Sequence, residues 1–153
     1  MGSQVTETNG VWSVPLSSNH TPYQQVMLSR RGVDLNYAVL LVHAEKFIAL
    51  YENNSDSIPP INRVQDWEGS KKEGIRQFLN PENGPVEMPR VSFWWNSMNS
   101  WRTLWRDKMI PDLSFENGRH RARYMHYAGA EYFPIEVEKE GLLSLNSICG
   151  VIS

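Results

Sequence analysis

Residues 116–129 read "ENGRHRARYMHYAG". Upstream, "DLSFEN" has the composition of a short strand running into a turn. Asn117 carries the side chain of a helix N-cap. Gly118 permits close backbone approach. Ala122, Met125 and Ala128 then recur as the inward stripe of a helix, and Gly129 suits the left-handed position just past its end. A strand, a tight turn and a helix therefore follow one another, with Arg119, His120, Arg121 and Arg123 in the first turns. Cations are disfavoured there, because the amide end of a helix already carries partial positive charge. The same amides lack acceptors within the helix, so such a turn is a ready anion site. Arg119 and Arg121 would add fork-shaped donors that match phosphate oxygens. A solvated cationic face balanced by Asp107, Asp112 or Glu116 fits the spacing equally well.

Working outward, "YAVLLVH" (37–43) is a short apolar run of strand length, expected to lie centrally in a sheet. In the next stretch Ala44, Phe47, Ile48 and Tyr51 fall at i, i+3, i+4 and i+7, one face of a helix. Ser70 and Glu73 have capping-box spacing ahead of Ile75, Phe78 and Leu79. "VEMPRVSFWW" (86–95) reads as a strand, and residues 96–108 fit a short helix or an aromatic loop. "YFPIEVE" reads as a strand and "EGLLSLNSICG" as a closing helix. Interleaved strands and helices predict one mixed α/β (α+β) domain over 26–153. Residues 1–25, with no sustained periodicity, are expected to form an N-terminal arm or loosely packed edge.

The chain of 153 residues is long enough for a single core. Its net charge of −2 rules out a globally basic nucleic-acid binder. From Trp101 to Arg123, however, six Lys/Arg stand against three Asp/Glu, so an anion site should be local to that segment. No apolar run is long enough to span a bilayer, and "MGSQVTETNG" lacks a signal pattern, so a cytoplasmic protein without membrane insertion is expected. The single Cys149 cannot form an internal disulfide or a cysteine zinc site, and reads as a small buried group.

Trp94, Trp95, Trp101 and Trp105 fall within twelve residues. Trp101 and Trp105 interleave with Arg102 and Arg106, a pattern suited to stacking on bases while cations track a strand's backbone, and Arg123 extends the same charge. Core packing or a protein interface accounts for the same pattern. Glu116 and Asp112 are the carboxylates nearest the turn, and either could hold Mg²⁺ against phosphate oxygens. His120 could act as general acid or base, or simply donate to phosphate. His126 reads as structural, and His43 as a cap or pocket wall.

The stretch "NGRHRARYMHYAGAEYFPIEV" resembles the second conserved box of the ParB/sulfiredoxin superfamily, a Gly-x-x-Arg turn and helix followed by "P-I-x-V". More narrowly, the order of "AVLLVHAEKFIALYENN", "VEMPRVSFW", "LSFENGRHRARYMHYAG", "YFPIEV" and a terminal "CG" is similar to that of plasmid fertility-inhibition and oncogenic-suppression (Osa-like) proteins. The resemblance implies a single compact ParB/sulfiredoxin-like domain. Gly118, His120 and Arg121 match the phosphate-contacting positions, and Asn117 and Arg119 match the narrower form of the motif. Sulfiredoxins place a cysteine where Arg119 stands, so sulfinic-acid repair has no nucleophile here. With 24 residues after Gly129, a helix-turn-helix domain of the centromere-binding kind is not expected.

The resemblance further implies a bacterial protein that hydrolyses ATP and degrades DNA, blocking conjugative or T-DNA transfer through a type IV secretion system. His120, Arg121 and Glu116 would be catalytic, ATP the substrate or regulator, and Mg²⁺ the metal. DNA, nucleotide and the secretion coupling protein would be its partners. The alternative is a non-catalytic, nucleotide-switched protein that blocks a secretion component through its Trp/Arg-rich surface.

Overall fold

The helix predicted from Ala44, Phe47, Ile48 and Tyr51 forms as α1 (Ala44–Asn53), with those four residues and Leu50 buried. The computed structural model describes residues 4–53, 63–98 and 108–151. Phe47 packs edge-on against Phe115 and Phe133, with ring centroids 5.6 and 5.7 Å away. Phe115 belongs to β7 (Lys108–Asn117) and Phe133 to β8 (Tyr132–Glu138). Those strands lie in a sheet of order β4-β8-β6-β7, with β4 at Tyr37–His43 and β6 at Arg90–Met98. β4 runs antiparallel to β8, β8 parallel to β6, and β6 antiparallel to β7.

The "YAVLLVH" strand is therefore an outer strand, not a central one. Its free side is closed by a bridge between Val42 and Gly150, just past α4 (Lys139–Cys149). The central place belongs to β8, whose residues 133–137 are all buried. Pro134 is tolerated there because β6 pairs with β8 only at Glu136 and Val137. The amide of Glu136 donates to Pro89 at 2.9 Å, so position 134 turns its missing donor toward the same side, beyond the paired stretch.

Residues 6–29 build a second sheet of order β1-β2-β3-β5, formed by Thr6–Thr8, Val11–Pro15, Gln25–Ser29 and Val86–Glu87. The stretch expected as an arm is thus an antiparallel hairpin, exposed along β1 but with Val14 fully buried in the common core. The following loop reaches back to the helix of the Arg-rich segment. There Ser18 N donates to the Ala128 carbonyl at 3.1 Å and Ser17 Oγ to that of Gly129 at 2.8 Å. α2 (Gly69–Phe78) starts after Glu68, and Ser70 lies inside it, so the capping box does not form. Glu73 instead binds Arg76 and Gln77 one turn on.

The two sheets meet at a buried carboxylate. Glu136 is 0% exposed, and its Oε1 accepts from Arg30 Nε at 3.0 Å. Its Oε2 accepts from an Arg90 terminal nitrogen at 3.2 Å and from the Arg31 amide at 3.3 Å. Arg90 also lies 4.1 Å from the ring centroid of Tyr37 and 3.5 Å from Asp34. Arg30 and Arg31 follow β3, whereas Arg90 and Glu136 belong to the other sheet. Among the described residues no helix is long and apolar enough to cross a membrane.

Truncating one member of a buried ion pair strands the others' charge. Glu136→Ala is expected to cost about 3–5 kcal/mol, read as a lower urea midpoint, against a much smaller loss for Glu87→Ala on the surface.

Candidate functional site

The Arg-rich turn folds as a helix start, although not capped as expected. α3 spans Arg119–Tyr127, and its N-cap is Gly118 in the left-handed region (φ 81°), with no side-chain cap bond. Asn117 Oδ1 instead accepts from an Arg121 terminal nitrogen at 2.9 Å. A Cβ on Gly118 would lie 2.7 Å from Pro89 Cα and 2.9 Å from the Arg121 guanidinium. Glycine is required for room as well as for φ. At the far end the amides of Gly129 and Ala130 bind the carbonyls of His126 and Met125, the paired closure expected of a glycine just past the helix.

Side chains diverge around the helix at about 100° per residue. His120 meets the indole of Trp67 edge-on, with centroids 5.4 Å apart. Lys71 lies over the same indole at 4.6 Å and Arg123 at 5.4 Å. Lys71 opens α2, so two helix starts bring cations to one aromatic wall. Burial, followed by repulsion from Lys71, Arg119 and Arg123, pushes the His120 imidazole down to about 4. Its Nδ1 is buried without a hydrogen-bond partner.

Arg121 turns the other way. Its guanidinium lies 5.6 Å from the Phe78 ring, its Nε is buried and unpartnered, and burial works against its charge. Among the described residues neither Arg119 nor Arg121 has a carboxylate within ion-pair distance. The charge of Glu87 favours the Arg121 cation and that of Arg31 opposes it, while Asp107 lies outside the described residues.

The carboxylates expected beside the turn are elsewhere. Along β7, Leu113 and Phe115 face the core, so Asp112 and Glu116 point to the opposite side of the sheet, away from α1. Glu116 accepts from the Tyr37 hydroxyl and, at 2.9 Å, from Ser92 Oγ. The Glu116 bond pushes the Tyr37 phenol up to about 12. Asp112 accepts from Asn96 Nδ2 at 2.6 Å. Four residues of strand put Asp112 and Glu116 about 13 Å apart. The structure therefore places the Asp112 and Glu116 side chains on the sheet face opposite α1, bound to Asn96, Ser92 and Tyr37. Among the described residues no group of three or more His, Cys, Asp or Glu could hold a metal ion.

Arg123, expected at a DNA surface, is only 5% exposed because it packs on Trp67. Arg102, Arg106, Trp101 and Trp105 lie outside the described residues. Cys149 is buried, which pushes its thiol up to about 12. Trp67 and Lys71 were missed by sequence reasoning. Their signal was the aromatic residue four positions ahead of the Lys71-Lys72 pair, beside the start of a helix read for its capping-box and apolar spacing.

The sequence model of the plasmid fertility inhibition factor family matches residues 39–150. The chain belongs to that family. A solved structure of oncogenic suppression activity protein, a plasmid fertility inhibition factor, in its gold(I) cyanide derivative, has the same fold, with a TM-score of 0.70. At 14% identity it covers 98% of this chain and 76% of that one. No curated protein sequence matches the chain. The family match takes in α3 and its Arg-rich turn, while the structural likeness extends over the N-terminal sheet as well.

Two outcomes follow for this fertility-inhibition fold. Gly118→Ala forces an ordinary residue into the left-handed region, costing about 1–2 kcal/mol. The contact with Pro89 adds to that loss, which a urea titration would read. His120, lowered from 6.5 to about 4, resists protonation only when folded. Its contribution is complete above pH 6.5 and is lost as pH falls toward 4. A His120→Gln variant should lose less stability than the parent across that window in parallel melts.

Proposed function

We propose that this fertility-inhibition protein handles phosphate esters and anhydrides at the start of α3, hydrolysing nucleoside triphosphate and cutting DNA. Its place would be the bacterial cytoplasm, where it would block conjugative or T-DNA transfer through a type IV secretion system. The single observation that carries this reading is the unpartnered His120 Nδ1, set among Lys71, Arg119 and Arg123 at a glycine-capped helix start. A cluster of like charges around a buried ring is costly in isolation and becomes favourable when an anion arrives. Placement in the ParB/sulfiredoxin superfamily belongs to the same proposal, because Gly118, His120 and Arg121 stand at its phosphate-contacting positions.

In this reading the first-turn amides and Arg119 hold phosphate oxygens. Arg121 supports the turn through Asn117. At neutral pH His120 is uncharged and able to accept a proton from attacking water. Phosphate between it and the surrounding cations offsets their repulsion, so its proton affinity rises only when substrate is bound. Nucleotide phosphates fit the residues present. Asp112 and Glu116 do not fit as Mg²⁺ ligands for those phosphates, and no step is assigned to a metal.

A second reading is a nucleotide-switched plug against a secretion component such as the coupling protein. It is favoured by Trp94 and Trp95, which remain 40% and 41% exposed on β6.

ATP turnover and plasmid cleavage should be followed for the parent, His120→Ala and Trp94→Ala side by side. Loss of both activities by tenfold or more in His120→Ala alone supports a shared phosphate site. An inactive parent whose transfer inhibition depends on Trp94 would favour the plug.

A further inference from the structure

From Ser92 onward β6 is free of β8. It pairs with β8 only at Arg90 and Val91, whereas its pairing with β7 continues to Met98. The two strands therefore run on as a ribbon. Phe93 and Trp95 turn toward one face, their rings in edge contact at 5.6 Å. Ser92, Trp94 and Asn96 alternate onto the other. Residues directly opposite in an antiparallel pair share a face, so Trp94 stands beside Asp112 and Ser92 beside Ser114. Glu116, two residues beyond Ser114, completes this outer face.

The polar groups of the face hold one another in place. Trp94 Nε1 donates to Asn96 Oδ1 at 3.1 Å, and Asn96 Nδ2 donates to Asp112 at 2.6 Å. Ser92 Oγ and the Tyr37 hydroxyl both donate to Glu116. The indole is nevertheless 40% exposed. An aromatic ring already fixed at its edge loses little freedom when a partner settles on it. The charge of the face is one-sided, because residues 92–96 and 110–116 include Asp112 and Glu116 and no Lys or Arg. Arg90, at the near end, is buried and already bound to Glu136 and Asp34. Such a surface repels a phosphate backbone and attracts a cation. A Lys or Arg seated on the indole also meets the Asp112 carboxylate of the facing strand. A second cation about 13 Å away, four residues on in an extended segment, meets Glu116.

We infer that the outer face of the β6–β7 ribbon docks a cationic, extended segment of a partner protein. The basic side chains of that segment lie on Trp94 and against Asp112 and Glu116. The inference rests on the plug reading above and deepens it by naming the face and the chemistry of the partner. Trp95, on the opposite face, takes no part in this contact.

Labelled peptides of alternating Lys and Thr, and of alternating Glu and Thr, serve as probes in fluorescence anisotropy titrations. The parent should bind the first and not the second. Trp94→Ala, and separately the pair Asp112→Asn with Glu116→Gln, should each weaken binding by about tenfold. Two controls should leave it unchanged: Trp95→Ala, and the pair Glu45→Gln with Glu52→Gln, which removes the same charge from exposed positions on α1. Melting curves check that each variant is folded, and the carboxamide pair decides the matter if Trp94→Ala is not. Equal weakening by the α1 pair reduces the effect to net charge and overturns the inference. So does a parent that binds neither peptide. A salt-sensitive dimer of the parent that is lost with Asp112 and Glu116 gives the face to a second copy and overturns it too. The plug reading is judged separately, by transfer inhibition in Trp94→Ala.

Discussion

The fold depends on one buried carboxylate that three donors from two sheets must satisfy. Glu136 lies in the central strand with no exposure, and water cannot solvate it. Arg30 and the Arg31 amide come from the end of β3, and Arg90 comes from the start of β6. Burying such a charge is costly unless it is paired and hydrogen-bonded. Only one relative placement of the sheets supplies all three donors. The ion network thus acts as a register mark, while the apolar residues shared by both sheets supply the bulk of the burial energy.

That registration positions the candidate site. Glu136 N binds the Pro89 carbonyl, and Arg90 pairs with Asn117 at the end of β7, beside a bulge between Arg90 and Val91. Pro89 in turn lies against Gly118, which begins α3. The buried carboxylate, the bulge, the proline and the glycine form a short chain of contacts, each fixing the next. The cations of α3 are aimed by it, whereas Lys71 arrives from α2 and Trp67 from the turn just before it.

Much of this was legible in the sequence. Apolar spacing located α1 and its buried face, and Gly129 located the end of α3. The Arg-rich turn stood out because its charges oppose the helix dipole. What escaped was longer in range. Glu136 directly follows Ile135 and Glu116 directly follows Phe115, as ordinary strand alternation allows, and nothing local distinguishes a buried carboxylate from a solvated one. The placement of Asp112 and Glu116 away from α3 follows from strand parity, which becomes informative only once the core face is known. The N-terminal hairpin escaped for a different reason. Its strands are short, only three and five residues, and β2 is held by its pairing with β3 and the core contact of Val14.

The loop after that hairpin has a further consequence. Ser17 and Ser18 bind the carbonyls of Gly129 and Ala128, where α3 ends. These serines lie upstream of residues 39–150, the stretch that defines the family by sequence. The helix bearing the candidate site is therefore fastened at its tail by a segment outside the recognisable module. The stretch that matches the family by sequence and the mechanical unit are not the same length. Substitutions upstream of residue 39 can alter how the helix is held without touching a single residue of its motif.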